Sequence, residues 1–514
     1  MDEIIDLVVT IEQLLGYGTK DWGLLFTRLG SVEAALLKDV LQDNPTSQEV
    51  LAKQLGFESN HSPNYRRYRR SLRSTLLQEL LKISLDVQAT SSFQRAYYTT
   101  QKMMSVFNIL RGSGRSRLSY SLAKQLLKTS RRYHFTEMRI ELSRYLGRYY
   151  SNNEGQLDRS TELFNESERC LIILGAEMKI ERIYSEFISH FINDKSLKFD
   201  LSKEVFEQLK ELNQYIQEPI ESYKFYLLFY SVGRHAAEGM GDFEKALYFS
   251  TKGFEFFDNL HFDNRTAKYM FMFAMSENYL KLGELSQAYH HINLSLDYLH
   301  YKGHANWFNA KHLMGLIELH QKNYDSAFKH HLEISQHSNL NSLPEDKLGV
   351  IRLQGAYLEF LRLTGEIQFG SAPTRFRINK FINEVPKFNA DKRGMRIPLI
   401  VAQLLYNLYD RNYDAIEDRI YALKDYCSRN LMRQSENFRS NCFIKMLLLI
   451  PSNNFNPIAA RRKTNNLLRK LSEVPYELST QSTQIEIIPY EDLWQIILKY
   501  LKSPKRKRVS KYTF

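Results

Sequence analysis

Cysteine is scarce in this 514-residue chain: Cys170, Cys427 and Cys442 are an odd number without a CxxC pair, which argues against a disulfide framework or a cysteine zinc site. Long apolar runs are missing as well, and no stretch approaches the about 18 residues that a membrane-crossing helix needs. The opening MDEIIDLVVTIEQLL carries Asp2, Glu3 and Asp6 where a secretory signal needs positive charge. Together these absences predict a soluble, cytoplasmic protein with no transmembrane segment. Catalytic signatures are lacking too. No GxSxG, P-loop, dinucleotide fingerprint or HExxH is present. The expectation is therefore a non-enzyme with no cofactor and no metal.

Acidic residues are nearly absent from one region. Between Ser59 and Thr136 only Glu79 and Asp86 stand against 15 lysines and arginines, and the last 16 residues hold seven more cations and no acid. Since the whole chain has a net charge of +12, the remainder is net acidic. Such asymmetry sets up two local positive fields that attract polyanions.

Apolar residues are plentiful, at 43% of the chain, with 32 Tyr and 31 Phe. Three segments repeat one pattern: Gly241-Asp-Phe-Glu-Lys-Ala246, Gly283-Glu-Leu-Ser-Gln-Ala288 and Asn323-Tyr-Asp-Ser-Ala327, each between two amphipathic helical stretches. A small residue ends one helix, and an alanine lets the next approach it closely. The 3.6-residue periodicity predicts an N-terminal helical unit over residues 1–88 and helical hairpins over 93–475. A hairpin is expected at 133–173 and the next at 176–216. A capping segment should follow at 476–501, with an extended piece from Ile485 to Ile488 and a helix from Tyr490 to Leu501. The basic stretch 502–514 reads as a disordered tail, and its Pro504-Lys-Arg-Lys-Arg508-Val resembles a short nuclear-import signal.

Over residues 219–338 the chain resembles the tetratricopeptide repeat family. The family's turn-and-alanine signature is met by Gly241 and Ala246, Gly283 and Ala288, and Asn323 and Ala327, while Tyr279 and Gly315 fit its first-helix positions. Ser276 departs from it, standing where the family usually has glycine. The resemblance implies an all-α, right-handed α-solenoid whose groove binds a protein or peptide. Its groove-lining positions fall here on Ser231, His235 and Glu238, then Phe273 and Glu277, then Asn309 and His312.

The N-terminal unit carries Thr46-Ser-Gln-Glu49, a capping-box pattern, followed by Gly56 as a stop and Pro63 as the start of a second helix. Ala52 and Gly56 are spaced as at the corner of a helix-turn-helix, which the unit weakly resembles. Arg66, Arg67, Arg69, Arg70 and Arg73 then read as contacts to a nucleic-acid backbone or to guanines, with Arg115 and Arg117 in a Gly-rich turn as further polyanion candidates. The competing reading is thus a DNA-binding transcriptional regulator with a repeat array as its sensor. Nine of the 14 histidines lie between His290 and His337 and are expected to line the inner surface.

Overall fold

The computed structural model describes residues 2–15, 19–42, 46–81, 92–193, 198–299, 302–368, 396–410, 438–473 and 486–502. These residues are all-helical, with 22 α-helices and no strand among them. The chain divides into two compact units, Met1–Leu174 and Gly175–Phe514.

The first unit opens with α1 (Asp2–Leu15), α2 (Thr19–Phe26), α3 (Ser31–Val40), α4 (Gln48–Gln54) and α5 (Pro63–Leu81). Helices α1, α3 and α5 pack on one another around Ile4, Ile11, Leu36, Leu37, Tyr65, Leu72 and Leu76. Pro63 does start α5, where its missing N–H is harmless. The capping box, however, is not formed. Ser47 is the residue before α4, and no side chain caps that helix. Thr46 instead gives its backbone N–H to the Asp39 carboxylate at 3.2 Å, and Glu49 accepts from Asn60 N at 3.3 Å. Tertiary partners outcompete the local pair.

Next come α6 (Ser92–Gly112), α7 (Ser116–Arg132), α8 (Thr136–Glu154) and α9 (Leu157–Asn193). Helices α6, α7 and α8 pack in sequence over Phe107, Leu126, Leu127, Leu142 and Leu146. The 37-residue α9 runs through Gly175, so the hairpin break expected between 173 and 176 is absent. One glycine weakens a helix by only about 1 kcal/mol, too little to end it without a capping turn.

In the second unit the order continues with α10 (Lys198–Leu212), α11 (Gln214–Gln217), α12 (Tyr223–Gly239), α13 (Phe243–Asp258), α14 (Arg265–Lys281), α15 (Leu285–Ser295), α16 (Ala305–His320), α17 (Tyr324–Ser335) and α18 (Glu345–Thr364). Then follow α19 (Arg396–Asp410), α20 (Phe438–Leu448), α21 (Pro457–Ser472) and α22 (Tyr490–Lys502). From α12 to α18 each helix packs on the next. The expected C-terminal helix is therefore present; Glu486 to Ile488 form no strand, and Ile485 and the basic tail 503–514 lie outside the described residues.

One turn recurs through both units. A residue with positive φ ends a helix, and the N–H after it bonds a carbonyl five or six residues back: Asp242 N to Ala237 O, Glu284 N to Tyr279 O and Asn323 N to Glu318 O, at 2.9 to 3.0 Å. This satisfies carbonyls that the helix end would leave open. At six of these turns a buried residue stands five positions after the left-handed one: Ser119 after Gly114, Arg139 after His134, Ser160 after Gly155, Ala246 after Gly241, Ala288 after Gly283 and Ala327 after Lys322; after Gly56 the corresponding His61 is exposed. In the third repeat the left-handed residue is thus Lys322 (φ +64°), and Asn323 is the cap that follows.

The departure at Ser276 has a structural role. Its buried hydroxyl donates to Ala288 O at 2.7 Å, tying α14 to α15. Between α12 and α13 the approach is closer still, because a Cβ on Gly233 would meet the Phe249 ring at 2.5 Å.

The C-terminal helix α22 is pinned by a buried ion cluster. Arg439 of α20 donates to Glu486 at 2.6 and 3.1 Å, to Glu491 at 2.6 and 2.9 Å, and to Leu471 O at 2.7 Å. Burial alone would lower the Arg439 pKa, but the two carboxylates outweigh it and raise it. His320, at the end of α16, donates from Nε2 to Glu486 O at 2.6 Å.

Candidate functional site

Helices α12 and α14 bring four charges of both signs together. Arg234 donates from Nη1 to Glu238 Oε1 at 3.0 Å and lies 3.8 Å from Glu277 Oε2, and Lys281 Nζ lies 3.6 Å from Glu238 Oε1. Both Arg234–Glu238 and Glu277–Lys281 are four apart on one helix, so each pair shares a face. His235 is the fifth member. Its Nδ1–H donates to Ser231 O at 2.8 Å, so its Nε2 accepts from Arg234 Nη2 at 2.6 Å and the ring is neutral. Ser231 turns its hydroxyl back to Leu227 O at 2.6 Å, as helical serines do.

The electrostatics follow from this arrangement. For Glu238, burial pushes upward, but Arg234 and Lys281 outweigh it and hold its pKa down at about 2. Burial lowers the His235 pKa to about 4, with Arg234 adding to the effect. Glu277 goes the other way: burial raises its pKa despite Lys281 and Arg234, although its side chain keeps 17% of its surface in solvent. Glu277 is thus desolvated by the surrounding protein while part of its side chain still meets solvent.

A second polar pair joins α16 to α18. His312 donates from Nδ1 to Gln354 Oε1 at 3.0 Å, and Gln354 returns Nε2–H to His312 O at 3.1 Å. Burial brings His312 down to about 4, and the Lys347 charge acts on both His312 and Glu277. Phe273 packs against Tyr269 with ring centroids 5.7 Å apart, and Asn309 is half-buried on α16. Of the expected groove residues, Ser231, His235, Glu238 and Glu277 meet in one network, while His312 pairs with Gln354 on α18. Arg234, Lys281, Lys347 and Gln354 were not singled out from sequence. For Arg234 and Lys281 the signal was available, as opposite charges four residues from Glu238 and Glu277. For Gln354, 42 residues from His312, there was none.

The expected basic surface divides. Arg66, Arg69, Arg70 and Arg73 of α5 line a cavity with Glu3 and Ile4, whereas Arg67, Arg115 and Arg117 do not. Some of the region's other cations serve the fold: Arg131, with Arg139 just beyond the region, holds the buried Glu166, and Arg111 pairs with Glu141 at 3.3 Å. For Glu166, burial pushes upward, but the two guanidinium groups outweigh it and lower its pKa. Helices α4 and α5 are separated by residues 55–62, a longer link than the three or four residues of a helix-turn-helix.

Among the described residues no three His, Cys, Asp or Glu side chains are grouped to hold a metal ion, and no helix is long and apolar enough to cross a membrane. No protein-family model, curated protein or solved structure matches this chain.

Proposed function

We propose that this protein is a non-enzymatic binding scaffold: a right-handed α-solenoid of tetratricopeptide-like hairpins that holds an extended or helical polypeptide segment against α12, α14 and α16. The observation that carries this reading is the charged network around Glu277, where Arg234 and Glu277 keep part of their side chains in solvent beside the buried Lys281 and Glu238. A polypeptide has both kinds of group to match, through its backbone and its charged side chains. The recurring turn with a buried residue five positions on, and the sequential packing of α12 to α18, support the repeat architecture.

The test is selection of peptides from a random display library on the immobilised full chain. Binders are then measured by fluorescence anisotropy against wild type and Glu277→Lys. Reversing one charge in this network should weaken binding about tenfold or more. Peptides that bind both proteins equally, with the helical content of the variant unchanged, would place the binding surface elsewhere.

A second reading, a DNA-binding regulator, is favoured by the exposed Arg66, Arg67, Arg70 and Arg73 along α5. Its mark would be sequence preference. A gel shift should show one duplex bound about a thousandfold more tightly than random DNA.

A further inference from the structure

Arg66, Arg69, Arg70 and Arg73 are spaced i, i+3, i+4 and i+7, so four guanidinium groups share one face of α5. Like charges at these spacings repel by about 0.2–0.5 kcal/mol per pair, a repulsion that a bound anion would relieve. Little does so here. Arg73 pairs with Glu3 at 2.6 Å; Arg66 contacts the His61 ring at 3.0 Å; Arg69 gives one N–H to Gln48 at 3.0 Å. The Arg69 Nε is buried without a hydrogen-bond partner, and Arg70 has no ion-pair partner among the described residues. The cavity between this face and the first turn of α1 has a volume of about 240 Å³, and Glu3 is its one carboxylate.

From this cavity we infer a binding site for a phosphoryl group, held by Arg69 and Arg70 with Arg66 and Arg73 at its sides. Guanidinium forks match phosphate oxygens two at a time, and the exposed Arg70 has no carboxylate to compete for its donors. Size narrows the class. The volume falls below the about 300–1,000 Å³ of pockets that enclose drug-sized ligands, so the site suits one phosphate or pyrophosphate group rather than an enclosed nucleotide. That group belongs either to a free small anion or to a nucleic-acid backbone lying across the opening. The inference depends neither on the peptide reading nor on any DNA sequence preference, so its failure is distinguishable from theirs.

The experiment is calorimetric titration of the full chain with inorganic pyrophosphate at about 50 mM salt. Arg69→Gln and Arg70→Gln should each weaken binding about tenfold, the loss expected for one charged hydrogen-bond donor. Lys53→Gln, which removes an exposed cation outside the cavity, should leave it unchanged. Glu3→Gln should strengthen it by removing the competing carboxylate, a gain that misfolding cannot imitate. Absence of pyrophosphate binding, or equal affinity in wild type and Arg70→Gln, would overturn the inference. Where binding holds, competition between pyrophosphate and a short random duplex assigns the site to a nucleic-acid backbone, and lack of competition assigns it to a free anion.

Discussion

His320 offers a direct test of how burial couples this fold to pH. It is 6% exposed, its Nε2–H donates to Glu486 O, and burial lowers its pKa from 6.5 to about 4 despite the Asp492 charge nearby. The folded protein therefore keeps the ring neutral at pH 5, while the unfolded chain protonates it below about pH 6.5. Because the unfolded state then binds the extra proton, stability falls as pH drops from 6.5 towards 4. A pKa lowered from 6.5 to about 4 corresponds to about 3 kcal/mol over that window for this residue alone. His320→Gln preserves an N–H donor for Glu486 O but cannot titrate, so it should flatten the decline by about that amount. The measurement is thermal unfolding by calorimetry at several pH values from 7.5 to about 4.5, for wild type and variant. Parallel curves for the two proteins would refute the assignment of a buried neutral ring. His235, His312 and His331, also lowered to about 4 by burial, should add to the acid sensitivity that remains in the variant.

Ala288→Leu should cost about 1–3 kcal/mol in thermal unfolding, because the alanine is fully buried where α15 meets α14 and three more carbons would overpack that contact. Gly241→Ala has φ +74° and open space around the new Cβ, so its cost of about 1 kcal/mol should come from the backbone alone, again read by thermal unfolding. Arg439→Met should destabilise by about 3–5 kcal/mol by stranding Glu486 as a buried unpaired charge, and adding Glu486→Gln should recover part of that loss in denaturant titration.

Much of the local architecture was legible in the residues. Helical periodicity announced an all-helical chain, and the pairs Gly241 and Ala246, Gly283 and Ala288 marked turns whose geometry the structure repeats. Those signals are legible because they act within about six residues: a left-handed residue closes the helix end, and the next turn brings a small side chain to the contact. The pattern extends to Gly114, His134 and Gly155, where serine or arginine follows and the family signature is not evident. The same local logic failed at Thr46 and Glu49. Asp39 and Asn60, seven and eleven positions away and outside the helix turn itself, supplied better partners for them.

The candidate sites divide along the same line. Sequence determined that α5 would carry a stripe of arginines and that Glu238 and Glu277 would have cations four residues away, since helix spacing alone sets those neighbours. Only the tertiary structure decided which of those charges meet. Packing α12 on α13 and α13 on α14 carries Arg234 to Glu277 and Lys281 to Glu238. Packing α1 on α5 sets Glu3 opposite Arg73 and leaves Arg70 without an ion pair among the described residues. The physical reason is range: a hydrogen bond or ion pair is strong only within a few ångströms, and residues 43 or 70 positions apart come that close only after the apolar faces of their helices have found each other.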